Sequence, residues 1–254
     1  MITKVGYVAV LAMNRAAAKN SLDPALLAAL TAAFTQAGSD PETRAIILTG
    51  SGGSFCAGAD LKKAMAEGLG GDNAPRIEEF HDLIRAVVGA PQPVIASIDG
   101  AAVGFGADLA LACDLRVMST RGYIQEKFVH IGLMPDGGGT FWLPRLVGIG
   151  RAMELLMLGT KVEAEQALAL GLVNRVVAPD ELDSTAQALA ESFAQGPPLA
   201  IAAIKRAVRA GLDDTLGDAL AREKAGQLGL LHSQDTMTGV MAWMQGRKPE
   251  FSGR

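Results

Sequence analysis

The stretch RAIILTG, residues 44–50, decides the class of fold. Four apolar residues run from Ala45 to Leu48 without alternation and close on Thr49 and Gly50, which marks a strand buried on both faces. PVIASIDG, residues 93–100, repeats the pattern, and DLRVMS, residues 114–119, gives another strand. Between the first two lies RIEEFHDLIRAVV, residues 76–88, with Ile77, Phe80, Ile84 and Val87 at helical spacing. Strands alternating with helices predict an α/β core whose connections pass over a sheet.

Working outward, KVGYVAVLAM (residues 4–13) reads as one strand with Val5, Tyr7, Ala9 and Leu11 on a shared face. SLDPALLAALTAAF (21–34) follows as a helix with Asp23 as N-cap and Pro24 at the first helical position. TKVEAEQALALGLVNRVV (160–177) reads as a helix stopped by Gly171, then a strand from Val173 to Val177. From about Asp180 the strand signals stop, and 180–195, 198–211 and 215–231 read as successive helices. That shift divides the chain into a core over residues 1–190 and a helical region over 191–254.

Composition narrows the function classes. The 254 residues are 49% hydrophobic and 20% charged, with a net charge of −4 and no basic run, so neither nucleic acid nor an anionic membrane is indicated as a partner. Gly, Pro or charge breaks every apolar window short of the roughly 20 residues of a membrane span. Cys56 and Cys113 lie far apart without ligand spacing, and no signal peptide precedes them, which points to a reduced, cytoplasmic protein. His81, His130 and His232 are scattered, so no metal site is expected.

Three glycine-rich stretches remain. SGGSFCAGADLK (51–62) and DGAAVGFGADLALACD (99–114) each follow a buried strand and lead toward a helix, the latter from near Leu109. Each is either an ordinary loop or a set of backbone N–H donors aimed at an oxygen, and two such loops at adjacent strand ends are what an oxyanion hole needs. The first lacks the Walker A pattern, and the second lacks the third glycine and acid of a dinucleotide site. In GLMPDGGGT (132–140), Asp136 is read either as turn chemistry or as a functional carboxylate. His81 falls on its helix's apolar stripe as a packing residue, Cys56 lacks a neighbouring base, and His130 is a possible pocket lining.

Together these residues resemble the crotonase, or enoyl-CoA hydratase/isomerase, superfamily over essentially the whole length. FCAGADLK (55–62) is similar to its first oxyanion-loop motif and DGAAVGFGADLALACDLR (99–116) to its second. IGLMPDGGGTFWLPRLVG (131–148), AMELLMLG (152–159) and the LGLVNRVV that ends at Val177 complete the order. The close, GRKPEFSGR (246–254), is most like the branch containing phenylacetate-pathway ring-1,2-epoxide isomerases.

The resemblance implies a spiral of ββα units with a C-terminal helical region for trimer contacts, often doubled to a hexamer. It implies an acyl-CoA substrate, with coenzyme A as part of the thioester and no prosthetic group. The N–H groups of Ala59 and Phe105 would hold the thioester oxygen, Phe105 replacing the commoner glycine. Ala57 and Asp60 would run along the adenine, Lys62 matches a position that reaches the phosphates, and Phe251 resembles an aromatic covering a neighbouring subunit's adenine. Lys62 has a second reading as a solvated charge, and Phe251 as a packing residue. Of the two hydratase glutamates, the first position holds Asp108 and the second Phe128, which cannot transfer a proton. Glu126 would need a shift of register to substitute. Asp136 matches the "PD" acid that acts on the acyl chain as proton shuttle or nucleophile. The expected activity is an enoyl-CoA isomerase that shifts a double bond or rearranges a ring epoxide. The alternatives are a hydratase and a catalytically inactive scaffold of the same fold.

Overall fold

The structure is a computed structural model that describes residues 1–67 and 74–254. Among the described residues nine strands form in chain order: β1 (Ile2–Val5), β2 (Val8–Met13), β3 (Ala45–Gly50), β4 (Val94–Ile98), β5 (Ala101–Val103), β6 (Leu115–Ser119), β7 (Tyr123–Gln125), β8 (Val162–Glu163) and β9 (Arg175–Val177). The helices are α1 (Pro24–Ser39), α2 (Leu61–Glu67), α3 (Ala74–Gly89), α4 (Phe105–Ala112), α5 (Gly139–Val147), α6 (Ile149–Leu158), α7 (Ala164–Ala169), α8 (Leu182–Ala194), α9 (Pro198–Ala210), α10 (Leu216–Leu231) and α11 (Gln234–Met244).

The main sheet runs β1-β2-β3-β4-β6-β9, antiparallel only at its β1 edge. A smaller sheet has the order β5-β7-β8. The buried run Ala45–Leu48 makes β3, whose faces supply two separate cores. Ile46 and Leu48 pack with Leu27, Leu30 and Phe34 of α1 and Leu83 and Val87 of α3. Ala45 and Ile47 face Leu182, Ala186 and Ala190 of α8. Asp99 and Gly100 bend the chain out of β4 into β5, so one strand lies in each sheet before α4 begins.

Several expectations shift. The N-terminal stretch is a hairpin, because Gly6 takes a positive φ of 58° and Val5 pairs with Val8 across a two-residue loop. Val5 and Tyr7 are therefore exposed, while Ala9 and Leu11 are buried. The last strand is shorter than the Val173–Val177 span, and α4 starts at Phe105 rather than near Leu109. A line at residue 190 runs through α8, whose Leu182 to Ala194 face is part of the sheet's own core. No described helix is long and apolar enough to cross a membrane.

Candidate active site

The loop after β3 is joined to β5 by a parallel bridge between Cys56 and Ala102. The Cys56 N–H donates to the Ala101 carbonyl (2.8 Å), and the Val103 N–H donates to the Cys56 carbonyl (2.9 Å). Three residues further along each segment stand Ala59, in the loop, and Phe105, at the start of α4. A Cβ on Gly58 would lie 3.3 Å from the Phe105 nitrogen, and one on Gly106 would lie 2.2 Å from the Cys56 carbonyl, so glycine is what lets the loops touch. Among the described residues, no hydrogen bond occupies the N–H of Ala59 or of Phe105. Phe105 opens α4, where a helix leaves its first N–H groups free. Its ring is turned away against Phe80 of α3, with centroids 4.6 Å apart, which is how a bulky residue fits at this position.

Asn20, which sequence reasoning passed over, holds the first loop in place. Its side chain donates to the carbonyls of Ser51 (2.9 Å) and Ser54 (2.7 Å). The signal was faint: an Asn preceding Ser at the end of a short turn, here at φ 55°. The Cys56 thiol donates to the Asn20 carbonyl, and burial pushes its pKa up to about 12, so it holds no thiolate for nucleophilic attack.

The turn that carries Asp136 enters α5 through Gly138, at φ 102°. Asp136 opens on a cavity of about 260 Å³ walled by His81, Ile84, Phe141 and Trp142. One of its oxygens, Oδ1, is closed off from solvent with no hydrogen-bond partner among the described residues. Burial raises its pKa, and the nearby His81 partly opposes that rise. His81 is thus not a core packing residue. Leu83 and Val87 take the buried face of α3, while His81 stands half-exposed at the cavity, its Nδ1 3.5 Å from Glu78. His130 is committed elsewhere, with Nε2 2.9 Å from the Leu158 carbonyl.

Asp108 sits in the first turn of α4 with no exposed surface. Its Oδ2 accepts the Gly137 N–H at 2.9 Å, directly beside Asp136. Glu126 is also buried and faces Asp108, without the register shift that sequence reasoning required. The reason is local: β7 ends at Gln125, and a 3-10 turn over Phe128–Ile131 takes Phe128 off the strand's alternation. Phe128 instead packs beneath Gly104. Burial raises both the Asp108 and Glu126 pKa values; the Asp108 charge raises that of Glu126 further and the Asp136 charge raises both, while hydrogen bonding from Gly137, Gly139 and Glu126 pulls that of Asp108 back down.

The positions proposed for coenzyme A divide. Ala57, Asp60 and Lys62 follow the oxyanion loop in sequence and lead into α2. Asp60 accepts from Arg15 at 2.9 Å and from the Lys63 N–H at 3.2 Å, which holds its pKa down, and Lys62 is exposed. Arg15 and Lys63, both unforeseen, gather with Asp23 and Asp60 into one surface network. Phe251 lies at the other end of β3, where its carbonyl accepts from Arg44. It lines a separate groove with Tyr7 and Gln195.

Residues 3–254 match the model of the family described as enoyl-CoA hydratase/isomerase. The chain belongs to that family. A probable enoyl-CoA hydratase of Rhodobacter capsulatus is 42% identical over 97% of this chain and 95% of its own length. The 1,2-epoxyphenylacetyl-CoA isomerase of Escherichia coli is 36% identical over 96% and 94%. Among solved structures, an enoyl-CoA hydratase from Bacillus anthracis superposes with a TM-score of 0.96 at 35% identity, covering 100% of this chain and 99% of that one. The fold is therefore the crotonase fold. As a member of the enoyl-CoA hydratase/isomerase family, the chain has relatives named for both reactions, so its own cavity side chains bear on the choice between them.

Proposed function

We propose that the protein is an enoyl-CoA isomerase, with Asp136 as its proton shuttle. The observation that carries this reading is the division of labour among the carboxyls. Asp136 lines the cavity, whereas Asp108 has no exposed surface and lies behind the turn, where its Oδ2 accepts the Gly137 N–H. In the proposed step, ionised Asp136 takes an α-proton from a 3-enoyl-CoA thioester. The C–H electrons move into the thioester, giving a dienolate whose oxygen is held by the Ala59 and Phe105 N–H groups. The protonated Asp136 then returns its proton to the γ-carbon, and the double bond settles between the α- and β-carbons. No water is consumed. The same pair of donors and the same acid would serve rearrangement of a ring epoxide beside the thioester. Ala57, Asp60 and Lys62 are assigned to the coenzyme A, and Phe251 to a neighbouring subunit's adenine in a homo-trimer or hexamer.

The rival reaction is hydration of a 2-enoyl-CoA, the reaction named in the Rhodobacter relative. Steady-state assays with 2-enoyl and 3-enoyl thioesters separate the two. Asp136→Asn is expected to lower isomerisation by roughly 10²–10⁴-fold, the range a positioned acid/base contributes. Strong hydration that survives Asp136→Asn would overturn the isomerase assignment.

A further inference from the structure

Two buried carboxyls take no part in the proton transfer just described. Asp108, on α4, has no exposed surface, and Glu126, just after β7, has 3%. They meet at one backbone position: a Cβ on Gly139 would lie 2.5 Å from Asp108 Oδ1 and 3.0 Å from Glu126 Oε1. Asp108 Oδ2 accepts from Gly137 and the Gly139 N–H adds a weaker pull on the Asp108 carboxylate, but Asp108 Oδ1 and both Glu126 oxygens make no hydrogen bond of ordinary geometry among the described residues. Two adjacent buried anions with three unpaired oxygens are costly, and one proton between them removes a charge and supplies a donor.

The surroundings do not neutralise the pair in another way. From the turn, the charged group facing it is Asp136, which makes ionisation of both carboxyls harder still. His81 of α3 acts on Asp136, and His130 of the 3-10 turn is bound to the Leu158 carbonyl. Trp142 of α5 lies against Gly138 and carries no charge.

We propose that Asp108 and Glu126 hold a single proton between them and act as a positioning pair that fixes the Gly137–Gly139 turn so that Asp136 faces the cavity. With the proton present, the pair carries one negative charge and Asp108 keeps the Gly137 N–H. When the proton leaves, two like charges lie side by side beneath the turn, Asp136 adds a third, and the turn loses its anchor. Turnover then falls as pH rises through the pair's titration. The inference rests on the proposed role of Asp136, and the spectroscopic part of its test does not.

Infrared spectra of the whole enzyme, titrated with base, read the shared proton directly. The carbonyl stretch of a protonated carboxylic acid is expected to persist above the ordinary carboxylate range in the wild type and to be missing from Glu126→Gln. In the pH profile of isomerisation, the amide of Glu126→Gln donates to Asp108 at every pH, so the alkaline limb should move up by about one pH unit or more. Glu126→Leu, which has no donor, should lose at least roughly tenfold in kcat across the whole profile. His81→Gln should leave the alkaline limb in place. Identical infrared spectra for wild type and Glu126→Gln, or an alkaline limb that Glu126→Gln does not move, would overturn the proposal. If no isomerisation is found at all, the infrared comparison alone still decides whether the proton is shared.

Discussion

At the scale of single residues, the chemistry rests on where each carboxyl sits relative to water. In the proposed isomerisation Asp136 must be ionised to accept a proton, and burial shifts its pKa above the ordinary value of 3.8. Activity should therefore rise with pH through a limb displaced upward from the usual aspartate range. His81 opposes that displacement, since a nearby cation favours the anion. Removing it by His81→Gln should move the acid limb to higher pH, which a kcat/KM profile would register; a limb that stays or moves down would contradict the placement. The sequence made Asp136 visible because Pro-Asp-Gly-Gly-Gly stands out in any context. It hid Glu126, because a strand's two-residue alternation was carried one step too far, past the point where β7 becomes a 3-10 turn. It also hid the side on which His81 falls. Of the stripe Ile77, Phe80, Ile84 and Val87, only Val87 is fully buried; Phe80 and Ile84 are partly buried, Ile77 is exposed, and Leu83, outside the stripe, completes the face that the core selects.

At the scale of elements, the turn into α5 is built by exclusion. Gly137 and Gly139 have no side chains because Asp108, Phe105 and Glu126 occupy the space a Cβ would need. A methyl at Gly137 would lie 2.6 Å from the Asp108 Cβ and 2.8 Å from the Phe105 ring. Gly139→Ala is accordingly expected to destabilise the fold by about 1–3 kcal/mol through overpacking, measured by denaturant unfolding, with a loss of turnover in the folded enzyme. A neutral result would mean that the carboxyls move aside freely. The buried strands β3, β4 and β6 were legible from their unbroken apolar runs. The β1–β2 hairpin was not, because one glycine inside an alternating run leaves the alternation intact while reversing the chain.

At the scale of the whole molecule, two features govern how the helical tail relates to the core. Asp114 is the joint. It accepts from the Val94 N–H at 2.8 Å on the sheet side and from Lys205 and Arg209 of α9, both at 2.7 Å. Lys205 is largely buried, and desolvation lowers its pKa. Asp114→Asn would leave two cations without their counter-charge, and is expected to cost about 3–5 kcal/mol by thermal or denaturant unfolding. The second feature is the apolar surface of the later helices, where Leu216, Trp243 and Met244 are 76%, 83% and 70% exposed. Such surface favours self-association, and the homo-trimer or hexamer proposed above is tested by sedimentation, which should then give a mass of three or six times 26.3 kDa. A monomer would remove the basis for assigning Phe251 to a neighbour.

The Cys56–Ala102 bridge bears on how this chain can vary. Because Ala59 and Phe105 each stand three residues beyond the bridge, the donors are matched by count and not by side chain. Away from Gly58 and Gly106, any substitution except proline leaves an N–H in place, as Phe105 itself illustrates, whereas one residue inserted between the bridge and its donor shifts that donor by about 3.3 Å, the rise of one extended residue. The proposed oxyanion hole is therefore tolerant of side-chain changes outside the two close-contact glycines and intolerant of changes in length, a property that would let a lineage re-tailor its cavity walls without rebuilding the hole.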